Sequence, residues 1–270
     1  MKTLYVTDLD GTLLQPDETL SPFTIRTINA LVDRGLRFSF ATARSIITSM
    51  RVTEGLTRSL PVILYNGAFI RRADTRALLH SCSFGEDFPA LLDDLISHGV
   101  WPIVYSLEDG QEKYRYVPAH NTPGMALFQA SRTGDPRETI VSAAAELRAG
   151  QPFYLTCIDE TEKLAPLYDK YRERYHCILH RDIYSGNQWL EIMPRAASKA
   201  NAVLRLKELL GADRLVVFGD GRNDLDMFAA ADERYAVANA VEELKAIATA
   251  VIPANTEDGV ARWLLDNARL

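Results

Sequence analysis

Cysteine is scarce in this 270-residue chain. Cys82, Cys157 and Cys177 are odd in number and show no C-x-x-C spacing, which argues against a disulfide framework or a zinc site and suits a reducing compartment. Long apolar runs are missing too. Nowhere do eighteen consecutive apolar residues occur, and a strand pattern begins within a few residues of Met1. Neither a signal peptide nor a membrane span is visible, so a cytoplasmic protein without a membrane partner is expected. A basic run is also absent. The net charge of −6 speaks against sequence-independent nucleic-acid binding, which depends on neutralising many phosphates, and leaves room only for a local cationic pocket. The histidines, His80, His98, His120, His176 and His180, lack ligand spacing, and no internal repeat or low-complexity tract occurs.

What is present is a chain 47% hydrophobic, long enough for a full core and at the upper edge of one domain, so two domains are expected and a globular enzyme is the default. The apolar run Leu4-Tyr5-Val6 breaks off at Asp8-Leu9-Asp10-Gly11-Thr12-Leu13-Leu14. Such a pattern predicts a buried strand ending at a tight turn, where open α/β sheets bind ligands. Asp8 and Asp10, two apart, leave the same face of extended backbone. One can attack an electrophile while the other donates a proton to the leaving group and later takes one from water. Gly11 permits the turn at positive φ and frees backbone N–H groups for an anion, to which Thr12 adds a hydroxyl. Two solvated aspartates beside a turn glycine would look the same, so the motif needs partners.

Helical spacing from Leu20 to Gly35, a strand over Leu36–Ala41 ending at Thr42-Ala43-Arg44, a helix from Ser45 to Leu56 and a strand over Pro61–Tyr65 ending at Asn66-Gly67 make βαβ units and a parallel sheet. From about Arg71 to Gln188 the pattern loosens into an α+β insertion. Helices are expected there over Asp87–His98, Arg137–Ala149 and Glu162–Tyr175, with His120–Pro136 the least readable stretch. After Lys199 the rhythm returns, and Leu215-Val216-Val217-Phe218 runs into a second acidic strand end, Gly219-Asp220-Gly221-Arg222-Asn223-Asp224. Strand-end residues Asp8, Asp10, Thr42, Asn66 and Asp220, with Lys199 at a helix start, form an inventory for phosphoryl transfer around Mg²⁺. Asn66-Gly67 is either a turn or a substrate contact, and Arg44 either a solvated side chain or one that reaches substrate.

Four elements in order, Asp8-Leu9-Asp10-Gly11-Thr12-Leu13-Leu14, Ala41-Thr42-Ala43-Arg44, Ser198-Lys199-Ala200 and Gly219-Asp220-Gly221-Arg222-Asn223-Asp224-Leu225-Asp226-Met227, resemble the haloacid dehalogenase superfamily in its Cof-type, subclass IIB branch. Trp189-Leu190-Glu191-Ile192-Met193-Pro194 and Glu257-Asp258-Gly259-Val260-Ala261 extend the resemblance along nearly the whole chain. It implies an α/β fold: a Rossmann-like parallel-sheet core from residues 1–80 and 191–270, and an inserted α+β C2-type cap domain from 81–190. By resemblance Asp8 is the nucleophile that becomes an aspartyl phosphate and Asp10 the acid/base. Thr42, its neighbour Ala43, Lys199 and Asn223 hold phosphate, with Asn66, Gly67 and Arg44 as further substrate candidates. Asp8, Asp10 through its carbonyl, Asp220 and Asp224 serve Mg²⁺, the last directly or through water.

Ala200 and Ala238, which precedes Asn239, stand where the family often has glycine, a departure that touches local backbone approach. The implied activity is a Mg²⁺-dependent phosphatase for small phosphorylated metabolites, sugar phosphates or related. Rivals are a sugar phosphomutase, a trehalose- or sucrose-phosphate type phosphatase, a phosphoaccepting signalling receiver and a catalytically dead binding module. Asp10 beside the nucleophile and the long insertion speak against a receiver, and the complete set of motif residues against a dead module. Oligomeric state and the residues that choose the substrate have no sequence signature.

Overall fold

The structure, a computed structural model, describes residues 1–181 and 186–269, which divide into two compact units, Met1–Ser81 with Ala197–Leu270 and Cys82–Ala196. The first begins with β1 (Thr3–Thr7), wholly buried, followed by α1 (Pro22–Asp33), β2 (Arg37–Phe40) and α2 (Ile46–Val52). Ser21 starts α1 by accepting the Thr24 N–H, with Pro22 in the first turn, and Ser45 does the same for α2 through Thr48. β3 (Val62–Leu64), β4 (Phe69–Arg71) and β5 (Leu78–Ser81) make a small antiparallel sheet, tied to β2 by a parallel bridge between Ala41 and Ile63. The run at Pro61–Tyr65 is therefore one arm of a hairpin more than a full member of the parallel sheet. Asn66-Gly67 lies in the turn between β3 and β4, a placement an Asn-Gly pair between apolar runs favours.

The second unit contains α3 (Phe88–Ser97), β6 (Ile103–Glu108), β7 (Gln111–Tyr116), α4 (Pro123–Ala130), β8 (Glu138–Ile140), β9 (Gln151–Ile158), α5 (Thr161–Tyr171), β10 (His176–Arg181) and β11 (Gln188–Met193). Its sheet order is β10-β11-β9-β6-β7-β8, antiparallel except for β7 and β8. One face packs on α3 and α5 through Leu91, Leu95, Leu155, Cys157, Leu164 and Ile192.

The helix expected over Arg137–Ala149 is corrected to β8 and a short 3₁₀ turn at Ala144–Arg148. Only Leu147 is buried in that turn, so no apolar stripe exists, and the Glu146 carboxylate caps it by accepting the N–H groups of Ser142 and Ala143. Conversely α4 lies in the stretch that was hardest to read, begun by Thr122 accepting from Met125 with Pro123 behind it. Because β11 completes this sheet, the unit runs to Ala196, past the boundary expected at 190.

The chain re-enters the first unit with α6 (Lys199–Leu209), β12 (Arg214–Gly219), α7 (Leu225–Ala230), β13 (Glu233–Val237), α8 (Glu242–Ile247), β14 (Ala250–Ile252) and α9 (Gly259–Asn267). The parallel sheet has the order β14-β13-β12-β1-β2. Its central strands read as unbroken apolar runs because both faces are covered; Trp263 of α9, for example, packs on Phe218 and Tyr235 at 5.2 and 4.3 Å between ring centroids. The strand order reverses between β1 and its two neighbours, and at such a switch point the strand ends open into a crevice.

Candidate active site

Strand register assembles the site. Thr7 pairs with Phe218 on one side and Phe40 on the other, and the Asp8 N–H donates to the Phe218 carbonyl at 2.9 Å. Asp8 therefore stands one residue past the sheet beside Gly219-Asp220, and Thr42, two residues beyond Phe40, lies on its other flank. Ser198 caps α6 by accepting the Asn201 N–H, which sets Lys199 at the first helical position with its side chain turned inward and only 1% exposed. Its ammonium donates to Asp8 Oδ1 at 2.6 Å and Asp224 Oδ1 at 2.7 Å. Asp224 Oδ2 accepts the N–H groups of Asp220 and Gly221, both at 3.1 Å, and so shapes the second acidic turn.

Asp8, Asp220 and Asp224 each present a carboxylate oxygen within 4.8 Å of the others, the group among the described residues that could hold a metal ion. One buried ammonium faces three carboxylates, and the cluster is short of positive charge. Burial lowers Lys199, but Asp224 and Asp8 more than reverse this and hold it above its ordinary pKa. Burial raises Asp8 well above the carboxylate range; Lys199 opposes that, while Asp224, Asp220 and Asp10 add to it. Asp220 is pushed up to about 7, by burial first and then by Asp224. A hard divalent cation with oxygen ligands fits this deficit. Gly11 makes room for the Asp220 carboxylate: at φ +77, a Cβ there would lie 2.3 Å from Asp220 Oδ2.

The raised Asp220 has a measurable consequence. With its unfolded pKa near the ordinary 3.8, the folded metal-free protein binds more protons between about pH 4 and 7, so this group's contribution to stability is lost as pH rises through that window. Asp220→Asn is expected to raise the melting temperature of chelator-treated protein at pH 8 by about 3 °C or more, and by much less at pH 4.5. An equal shift at both pH values would contradict the charge deficit.

Asp10 points to a different partner. Arg44 grips its carboxylate with two hydrogen bonds, Nε to Oδ2 at 2.8 Å and Nη2 to Oδ1 at 2.5 Å, and also meets Glu18 at 3.0 Å. Burial depresses the guanidinium, yet the hydrogen bond and charge of Asp10, followed by Glu18, carry its pKa above the ordinary value. Thr42 is fully buried, its hydroxyl accepting the Arg44 N–H and its carbonyl the Asn66 N–H. Ala43 is half-buried between Thr42 and Arg44. Asn66 takes a left-handed conformation at φ 51 and receives a hydrogen bond from Asn223 Nδ2 at 3.3 Å. Gly67 presses its backbone on the cap of α6, where a Cβ would lie 2.1 Å from the Ser198 carbonyl oxygen, so packing alone accounts for this glycine.

Thr12, read from sequence as an anion ligand, donates its hydroxyl instead to Asp220 Oδ1 at 2.7 Å. Sequence reasoning also passed over Asn239, whose Nδ2 donates to the Gly11 carbonyl at 2.7 Å and whose Oδ1 accepts the Asn255 N–H at 3.0 Å. Asn255 in turn donates to the Leu14 carbonyl, and Asp258 accepts the hydroxyls of Ser21 and Thr24 at the start of α1. The Glu257-Asp258-Gly259 motif thus belongs to the scaffold that holds the first acidic turn. Its place in the chain was the available signal.

Comparison with known proteins gives the family. The sequence profile of the haloacid dehalogenase-like hydrolases matches residues 5–264. The chain is 28% identical to the 5-amino-6-(5-phospho-D-ribitylamino)uracil phosphatase YitU of Bacillus subtilis, over 97% of this chain and 96% of that protein. It is 27% identical to the HMP-PP phosphatase of Escherichia coli K12, over 91% and 88% of the two chains. Among solved structures, a haloacid dehalogenase-like hydrolase from B. subtilis superposes with a TM-score of 0.80 at 24% identity, covering 100% of both chains. The chain therefore belongs to the haloacid dehalogenase-like hydrolases.

Proposed function

We propose that this protein is a Mg²⁺-dependent phosphatase that hydrolyses small phosphorylated metabolites through an aspartyl-phosphate intermediate on Asp8. The observation that carries this is the cluster of Asp8, Asp220 and Asp224, with Lys199 bonded to Asp8 and Asp224, at the carboxyl end of the central strands. Lys199 holds Asp8 Oδ1, which directs the other oxygen at an entering phosphorus. As that bond forms, the ester oxygen leaves with a proton from Asp10; water then attacks phosphorus, gives its proton to Asp10 and releases phosphate. In this reading Lys199, Thr42 and Asn223 hold the phosphoryl oxygens, and Asn66 orients Asn223.

Asp8, Asp220 and the Asp10 carbonyl would hold Mg²⁺, with Asp224, both of whose oxygens already accept protein hydrogen bonds, acting through water. When bound, the cation would neutralise charge on the transferring phosphoryl group. The relatives named above act on phosphorylated small molecules, which supports the substrate class. The inserted α+β unit is the counterpart of the family's cap domain. Purified protein with millimolar Mg²⁺ is expected to release phosphate from p-nitrophenyl phosphate and from a subset of a sugar-phosphate panel, and to lose at least about 99% of that activity with excess EDTA. Undiminished release in EDTA would refute the metal assignment, and no release from any phosphomonoester would refute the function.

A further inference from the structure

We propose that Glu18 and Arg44 form a positioning clamp that fixes the side chain of Asp10 for proton transfer, so that Arg44 serves the reaction through Asp10 and not as a phosphate ligand. This role presupposes the phosphatase activity and the proton-transfer part given to Asp10 above. Three observations carry it.

The first is the fork geometry. Arg44 meets Asp10 through Nε and Nη2 at 2.8 and 2.5 Å, an arrangement that fixes both the position and the plane of the carboxylate. The guanidinium is well shielded, its side chain 13% exposed, so the contact is stronger than a surface pair. The second is that Arg44 is itself held at both ends of its backbone. Its N–H donates to Thr42 Oγ1 at 3.1 Å and its carbonyl accepts the Tyr65 N–H at 3.2 Å. The side chain therefore departs from a fixed origin beside the nucleophile.

The third is Glu18. This residue sits in the left-handed region at φ 62, which costs a non-glycine residue about 1 kcal/mol or more. It occupies a tight turn closed by Glu18 N–H to the Gln15 carbonyl and Gln15 N–H to the Thr19 carbonyl, with Asp17 capping Thr19. Asparagine or glycine would suit that turn better, and what glutamate adds is a carboxylate 3.0 Å from Arg44 Nη2. Glu18 meets the same Nη2 that donates to Asp10 Oδ1, so this guanidinium nitrogen is held between two carboxylates.

The test uses the Mg²⁺-loaded enzyme, two substrates and three variants. p-Nitrophenyl phosphate has a leaving group that departs without protonation, whereas an alkyl phosphate such as glycerol phosphate needs a proton from the acid. In single-turnover transfer of the phosphoryl group to Asp8, Arg44→Lys is expected to slow release of the alkyl alcohol about 100-fold and of p-nitrophenol about fivefold or less, with steady-state KM changed less than about threefold. In an Asp10→Asn background the same change should add less than about twofold, because the two residues act as one unit. Glu18→Asn, which relieves the turn, should match or exceed the wild-type melting temperature while reproducing the alkyl-selective loss at about tenfold.

A raised KM with additive losses in the Asp10→Asn background would make Arg44 a substrate ligand and overturn the clamp. Equal losses on both substrates in Arg44→Lys, or full activity in Glu18→Asn, would also overturn it. Asp10→Asn alone separates the layers. If it slows release of the two leaving groups equally in the first half-reaction, the acid part given to Asp10 fails and the clamp with it, whereas loss of the shared hydrolysis step on both substrates is expected of its base part. If it is alkyl-selective and the clamp variants are not, only the clamp fails.

Discussion

Asp8→Asn is expected to abolish turnover and leave the fold intact. The substitution is nearly isosteric, and the side-chain amide can still accept a hydrogen bond from Lys199 where Oδ1 does now at 2.6 Å. It also removes one of three crowded carboxylates, a relief offset by the loss of that carboxylate's ion pair with Lys199. Stability should therefore hold within about 2 °C in melting temperature. Chemistry should not, because an amide has no anionic oxygen to attack phosphorus, and loss of a nucleophile costs about 10⁴-fold or more in kcat. Steady-state phosphate release and a thermal melt on the same preparation check both halves. Turnover near the wild-type level would remove Asp8 from the reaction path.

Lys199→Met is expected to strike stability and activity together. The ammonium is 1% exposed and bonded to both Asp8 and Asp224, with Asp220 in the same cluster. Removing it leaves buried carboxylates with no cation, and an uncompensated buried charge costs about 3–5 kcal/mol. In a protein of this size that corresponds to a fall of roughly 6–15 °C in the melting temperature of metal-free protein. Millimolar Mg²⁺ should restore part of the loss, because it supplies positive charge to the same oxygens. Activity should stay down by about 10³-fold in Mg²⁺, since Lys199 also holds the attacking carboxylate and the phosphoryl oxygens. A melting temperature within about 1 °C of wild type would mean that the cluster does not depend on this lysine.

Much of this architecture is legible because parallel strands buried on both faces leave an unmistakable trace. Leu4–Val6 and Leu215–Phe218 are apolar throughout and end abruptly at acidic residues. The crossover helices carry their own start signals at Ser21-Pro22, Ser45 and Ser198. Residues at such strand ends are candidates by position, and a parallel sheet has few ways to bring them together. The inserted unit is less readable. Its 137–149 segment has helix-forming composition but buries almost nothing, and a parallel pairing with β7 overrides propensity at Glu138–Ile140.

The supporting contacts are the least visible part. Thr12 reaches Asp220 and Asn239 reaches Gly11 across more than 200 residues of sequence, by hydrogen bonds that no periodicity records. Glu18 is hidden for another reason: its strain exists only in the folded backbone. Gly67 shows the converse, a conspicuous residue whose close approach to Ser198 explains it without substrate.

The central claim is that Asp8 carries the phosphoryl group in transit. Mixing Mg²⁺-loaded enzyme with a good phosphomonoester substrate, quenching within milliseconds and reducing with borohydride converts an aspartyl phosphate to homoserine, which peptide mass spectrometry locates. The account predicts conversion at Asp8, dependent on substrate and on Mg²⁺ and absent from Asp8→Asn. Conversion at a different aspartate, with Asp8 unmodified while phosphate is released, would contradict it.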